Sequence, residues 1–262
     1  MLLMKSFFLN LQFFTIVPIR REMRMGNREY KWMVRTFPLL GLFVGVILLG
    51  GYSILHSYTQ MTTLGLSFFI WVLPIVLTGG IHLDGYMDAS DALFSYRDRE
   101  KRLDIMKDPR VGAFGVLSVV VLLSSRFLFI YETVLHTDSA LTFSIILVLI
   151  PFFSRIMMAA ILVLIPPARN AGMGYHFSKN LKVMDLSWVI GALVLAGIGS
   201  FLLGAVYYYA LFTVVTLVVF WLSYTKSLKW FGGMNGDTIG GSVEGVESVL
   251  WMILWFHAFS AY

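Results

Sequence analysis

The chain has 262 residues, 58% of them hydrophobic and 13% charged, with a mean hydropathy of +0.79. This is too apolar for a soluble domain, so a single integral membrane domain is expected over residues 1–262: an all-α, polytopic bundle sharing its core with lipid. Cysteine is absent, which excludes a disulfide framework, a thiolate zinc site and a cysteine nucleophile; the +5 charge carries no long basic run interleaved with aromatics, so no nucleic acid partner is expected.

Met1 to Ile19 is apolar apart from Lys5, with Pro18, Arg20 and Arg21 at its end. The basic residues follow the apolar run and no small-x-small cleavage site appears. The stretch therefore reads as a retained interfacial or re-entrant helix, too short to span, rather than a secretory signal. Seven later stretches read as spans: Phe37 to Leu55, Leu64 to Ile81, Ala113 to Leu135, Leu141 to Ile165, Trp188 to Ala205, Val206 to Tyr224 and Gly240 to Phe259. The fifth and sixth form one apolar run, too long for a single crossing of about 20 residues, and are divided near Gly204. Gly41 and Gly45 read as a helix-packing pair. His56, His136 and His257 fall at outer ends and are given no role.

Lysine and arginine alternate between loops. Six lie in Pro18 to Thr36, six in His82 to Gly112, three in Pro166 to Ser187 and two in Thr225 to Asp237, while the intervening loops carry none. The positive-inside rule then predicts a multi-pass cell-membrane protein with a cytoplasmic N-terminus and its motif-bearing loops on the cytoplasmic side.

The stretch Thr78 to Gly115 holds seven of the fifteen acidic residues. Asp84, Asp88 and Asp91 at i, i+4 and i+7 share one helix face within an arc of roughly 60°. Unpaired carboxylates there would repel, and a divalent cation resolves this, with hard oxygen ligands suiting Mg²⁺ or Mn²⁺; a solvated acidic face is the alternative. A second short helix is expected with Ser95 and Asp98 at capping-box spacing, ending at Asp108 before Pro109. It would carry Arg97, Lys101, Asp104 and Asp108 on one face, either as surface ion pairs or as a mixed metal and phosphate face.

Phe231 to Glu247 is a second polar island. Gly232, Gly233 and Gly236 let backbone approach a ligand, Asp237 or Thr238 can cap the following helix, and its N-terminus offers N–H groups to phosphate. No Walker lysine is present. Asp237 and Glu244 share a face on which burial in lipid is costly. Arg126 and Arg155 lie inside expected spans and need a carboxylate or phosphate partner, with Glu132 an alternative partner for Arg126. Ala168 to Phe177, including Arg169, reads as a loop.

These islands together resemble the adenosylcobinamide-GDP ribazoletransferase, or cobalamin (5′-phosphate) synthase, family. The matching residues are Phe37 to Gly41, Gly79 to Gly85 with Asp88 and Asp91, Arg102, Ile105 to Gly112, Ser154-Arg155, Ala168-Arg169, Gly172 to Gly174, Phe177, Gly232-Gly233 and Gly236 to Gly240. Ala92 stands where the family often has Gly, and Arg126 where Lys is usual. The resemblance implies that α-ribazole, or its 5′-phosphate, displaces GMP from adenosylcobinamide-GDP with Mg²⁺ required. Taken with the residue pattern, it implies that Asp84, Asp88, Asp91 and Asp108 hold metal on the pyrophosphate, with Asp91 as a candidate general base. Lys107, Arg110 and Arg155 would clamp phosphate. His82, Arg169, Gly232, Gly233, Asp237, Thr238 and Glu244 complete the expected substrate contacts. Homo-oligomerisation is left open. A CDP-alcohol phosphotransferase also clusters aspartates beside a membrane, but it pairs Asp-x-x-Asp-Gly with a downstream Ala-Arg, whereas here Gly85 leads to Tyr86-Met87-Asp88 without the arginine. A prenyltransferase fits less well, and a transporter would place its charges at mid-membrane.

Overall fold

A computed structural model describes residues 2–137 and 139–260. Among the described residues the chain is helical apart from turns and one parallel bridge between Pro167 and Met234. The helices are α1 (Leu2–Phe14), α2 (Asn27–Arg35), α3 (Phe37–Tyr58), α4 (Thr63–Thr78), α5 (Ile81–Phe94), α6 (Arg99–Ile105), α7 (Ala113–His136), α8 (Ala140–Leu164), α9 (Gly172–Ser178), α10 (Leu186–Leu202), α11 (Val206–Phe231) and α12 (Gly236–Ser260).

Six helices are long and apolar enough to cross a membrane: α3, α7, α8, α10 together with the 3-10 turn before it (Val183–Leu202), α11 and α12. The remaining expected span, Leu64 to Ile81, is broken. α4 has 16 residues, a rise of about 24 Å against a hydrocarbon core of about 30 Å. It stops at Gly79 and Gly80, whose φ values of 62° and 72° are left-handed, a conformation that glycine adopts without a Cβ clash. The chain turns there by 88° into α5, so the three aspartates ride on a helix that leaves the line of the span. At the other expected division, Gly204 turns the chain between α10 and α11 with φ 72°.

α8 is the centre of the bundle, buried along almost its whole length. α3 lies directly on it: a Cβ at Gly41 would stand 2.5 Å from the Pro151 carbonyl oxygen, and one at Gly45 2.7 Å from the Val148 Cα. The expected packing role of that glycine pair is therefore met. The outward faces of α7, α10 and α11 present Val120, Val121, Leu195, Leu217 and Trp221, apolar surface of the kind that faces lipid.

The loops rich in lysine and arginine gather at one end of the bundle. Arg35 and Lys31 both pair with Asp185, the Arg169 Nη2 lies 2.8 Å from the Asp104 Oδ1, and Arg99 donates to the carbonyl oxygens of Phe231 and Gly232. Two local expectations are corrected here. α6 is capped by Asp98, whose Oδ1 accepts from the Lys101 N–H at 3.0 Å, while the Ser95 hydroxyl turns back to the Ala92 carbonyl. The helix ends at Ile105, so Arg97 and Asp108 lie outside it and the expected four-residue face does not form. α12 is capped by Asn235: its Oδ1 accepts from the Thr238 N–H and the Thr238 Oγ1 accepts from the Asn235 N–H, both at 2.8 Å. Asp237 takes no part in the cap and accepts from the Asn235 Nδ2 at 3.2 Å through its Oδ2.

Candidate active site

Two glycines decide where the carboxylates meet. α5 and α12 cross with almost no side chain between them. A Cβ at Gly240 would lie 2.8 Å from the His82 carbonyl oxygen, and one at Gly85 3.0 Å from the Asp237 Cα. This nesting brings Asp237 against the face that carries Asp84 and Asp88. The charges of Asp84 and Asp91 act on Asp88, and those of Asp84 and Asp88 act on Asp237. Asp84 is exposed and the other three are half-buried.

α7 closes the other side of α5. A Cβ at Gly115 would stand 2.8 Å from the Met87 side chain and 2.9 Å from the Met87 carbonyl oxygen, and the Gly115 N–H donates to the Asp91 Oδ1 at 3.3 Å. Gly112, which precedes α7, lies directly over the same carboxylate. Asp91 is thus anchored on the first turn of α7, where free N–H groups favour a negative charge.

Among the described residues, no lysine or arginine forms an ion pair with any of these four carboxylates. Among the described residues no three histidine or acidic side chains are drawn tightly enough to ligate an ion. An all-carboxylate donor set at this spacing nonetheless fits Mg²⁺, which keeps several waters and takes other oxygens from substrate phosphate rather than from a closed protein cage.

Other expected site residues stand elsewhere. Asp108 is engaged by Arg110, whose Nε and Nη2 donate to it at 2.6 to 3.2 Å. That hydrogen-bonded cation holds the exposed carboxyl at about 2, below the usual carboxylate range. Lys107 and Arg110 are exposed on the same loop, and Arg169 bonds Asp104. Gly232 ends α11 with a left-handed φ of 75° beneath the Arg99 guanidinium. Its N–H and that of Gly233 donate to the carbonyls of Leu228 and Ser227, so neither is free for phosphate. Gly233 lets the chain pass against Pro166 and Pro167, beside hydrogen bonds from Met234 N–H to Pro166 and from Ala168 N–H to Met234. Thr238 is occupied in the α12 cap.

The two buried arginines find partners on α12. Arg126 pairs with Glu244 at 2.7 Å and donates to Ser248, not to Glu132, which lies beside His136. Arg155 pairs with Glu247 at 2.8 Å, with the Ser154 hydroxyl bridging them. Glu247 was no expected site residue. Two glutamates three apart in an apolar helix, in a chain with two arginines inside spans, were the signal available for it.

The cobalamin-5-phosphate synthase family model matches residues 6–255. The chain belongs to that family. It is 40% identical over 256 residues to an adenosylcobinamide-GDP ribazoletransferase from Geobacillus sp. (strain WCH70), covering 95% of each chain. The corresponding Geobacillus thermodenitrificans (strain NG80-2) protein is 39% identical over 252 residues, 94% of each. The one from Clostridium botulinum (strain Alaska E43 / Type E3) is 31% identical over 243 residues, 92% of this chain and 93% of its own. No solved structure matches the chain. As a cobalamin-5-phosphate synthase family member the chain is not a CDP-alcohol phosphotransferase, a prenyltransferase or a transporter. The His82-Leu83-Asp84-Gly85 and Gly236-Asp237-Thr238 blocks that carried the resemblance are the segments that α5 and α12 press together.

Proposed function

We propose that the cleft between α5 and α12 is where this chain, an adenosylcobinamide-GDP ribazoletransferase of cobalamin biosynthesis, joins ribazole to the activated corrinoid. The observation that supports this most directly is the meeting of Asp84, Asp88 and Asp237 across the Gly85–Gly240 crossing. In the reaction a hydroxyl of α-ribazole, or of its 5′-phosphate, attacks the phosphorus attached to the cobinamide. A new P–O bond forms and the bond to GMP breaks.

Asp84, Asp88 and Asp237 are the ligand candidates, with Asp91 at the margin; when bound, Mg²⁺ would offset negative charge on the pyrophosphate and on departing GMP. The chain's own groups then do the positioning. Asp91, held by α7, keeps α5 in register with the loop that carries Lys107 and Arg110. Of the two, Lys107 is the cation that can swing toward phosphate, since Arg110 is held by Asp108. The hydroxyl proton passes to a carboxylate of the cluster, and the anchoring of Asp91 leaves that task to Asp88 or Asp237. Asp108 stays with Arg110. Arg155 and Arg126, neutralised by Glu247 and Glu244, lock α12 to α8 and α7 and so hold Asp237 in place. Because the lysine- and arginine-rich loops share this end of the bundle, we place the cleft at the cytoplasmic face.

The test is GMP release by purified protein in nanodiscs given adenosylcobinamide-GDP and α-ribazole, with and without Mg²⁺. Mg²⁺-dependent GMP together with a cobalamin product is expected. Folded, Mg²⁺-supplied protein that releases no GMP would overturn the reading.

A further inference from the structure

Asn235 stands immediately before the Gly236-Asp237-Thr238 block, and its side chain makes two kinds of bond. Its Oδ1 accepts from the Thr238 N–H at 2.8 Å, which caps α12, and its Nδ2 donates to the Asp237 Oδ2 at 3.2 Å. The oxygen and nitrogen of an amide are told apart by their partners. The Thr238 N–H can only donate, so it takes the oxygen, and the NH₂ is left facing a carboxylate. That NH₂ also lies 3.1 Å from the Met106 Sδ, and Met106 is itself buried with Ala92, Leu103 and Phe231.

The backbone of Asn235 is fixed as well. Its N–H donates to the Thr238 hydroxyl, its carbonyl accepts from the Ile239 N–H, and α9 packs so closely that a Cβ at Gly174 would stand 3.3 Å from the Asn235 Cα. An amide held on this many sides keeps one orientation, and it imposes one on the carboxylate it bonds. Asp237 needs such a partner. The charges of Asp84 and Asp88 act on it, and among the described residues no lysine or arginine pairs with it. Left to itself, a carboxylate so placed turns away from its neighbours. A cation would hold it, but would also offset the negative charge that draws a metal. A neutral N–H donor favours the ionised carboxylate and leaves the charge of the cluster intact.

We propose that Asn235 is a positioning residue for the transfer: an uncharged donor that holds the Asp237 carboxylate in the cluster by one oxygen and leaves the other for Mg²⁺. The inference rests on the transfer reaction and the carboxylate cluster proposed above. Capping α12 is then only half of what this side chain does. The cap sets the amide so that its NH₂ meets Asp237.

The experiment compares Asn235→Asp and Asn235→Ser with the unmodified full-length protein in nanodiscs of zwitterionic lipid. Asp and Ser cap helices about as well as Asn, so a residue that only capped would tolerate both. Asn235→Asp exchanges one NH₂ for an oxygen facing Asp237, and Asn235→Ser removes the amide without adding charge. The readouts are melting temperature, Mn²⁺ affinity from the free-ion EPR signal, and kcat and KM for GMP release with each substrate varied. Both variants are expected to melt with the unmodified protein and to lose about tenfold or more in kcat, the scale of a small misplacement at a reacting centre, with each KM little changed. Asn235→Ser is also expected to bind Mn²⁺ several-fold more weakly. Unmodified kcat and Mn²⁺ affinity in Asn235→Ser would leave the cap as its only role and overturn the proposal, as would losses of kcat that follow a large fall in melting temperature in both variants. If the unmodified protein releases no GMP, the transfer reading fails, and the Mn²⁺ titration still decides whether Asn235 holds Asp237 for a metal.

Discussion

Replacing Gly240 by alanine adds one methyl group at the point where α12 meets α5. The new Cβ would stand 2.8 Å from the His82 carbonyl oxygen and 3.2 Å from the Gly85 Cα, both backbone atoms that no rotamer change can move. Ordinary contact begins near 3.4 Å, so the helices must part by about 0.6 Å, and overpacking of this kind costs roughly 1 to 3 kcal/mol. The same movement would carry Asp237 away from the α5 aspartates. A misplacement of about 1 Å can cost on the order of 100-fold in rate, so Gly240→Ala should lower kcat/KM by roughly tenfold or more. Gly245→Ala is the control, because a Cβ there meets nothing within 4 Å and alanine favours a helix over glycine by about 1 kcal/mol. The assay is Mg²⁺-dependent GMP release alongside thermal unfolding of both variants in the same detergent. Gly240→Ala with wild-type turnover and an unchanged melting temperature would refute the close crossing as the device that assembles the site.

Asp84→Asn, Asp88→Asn and Asp237→Asn should each abolish GMP release with melting temperature preserved; turnover near wild type in any one removes that residue from the site. Asp108→Asn should leave the Mg²⁺ concentration giving half-maximal rate unchanged, since its carboxylate belongs to Arg110, whereas a large shift would restore it as a ligand. Chelating Mg²⁺ with excess EDTA should stop transfer, and adding the metal back should restore it. Glu247→Ala leaves Arg155 buried without its carboxylate, a loss of about 3 to 5 kcal/mol for a broken buried pair. Unfolding in detergent would show this, and pairing it with Arg155→Met should recover part of the loss.

Much of the architecture was written in local pattern. Apolar runs of spanning length, divided at Gly204 and interrupted by loops alternately rich and poor in cations, suffice to place six of the long helices, because in lipid every backbone group must be satisfied within its own helix. The α5 aspartates were equally legible, since i, i+4, i+7 spacing is a property of one helix. Local pattern failed where two signals competed within a few residues. Ser95 and Asp98 can both cap, and the extended backbone at Asp98 decided for the latter. Of the two expected caps, Thr238 shares the α12 cap with Asn235, while Asp237 stands with the cluster.

Contacts between distant segments were not legible. That Asp237 belongs with Asp84 and Asp88, that Arg126 answers Glu244 and that Arg155 answers Glu247 all depend on which helix faces which. Periodicity along one helix states what its faces are but not what lies opposite them. The expected span from Leu64 to Ile81 ran through Gly79 and Gly80, and the 88° turn there was not legible in local pattern. The chain's own order of residues thus decided the membrane class, the helices and the face that carries the acids. Only the tertiary structure decided the fourth carboxylate and the buried ion pairs, because each is made by side chains brought together from separate helices.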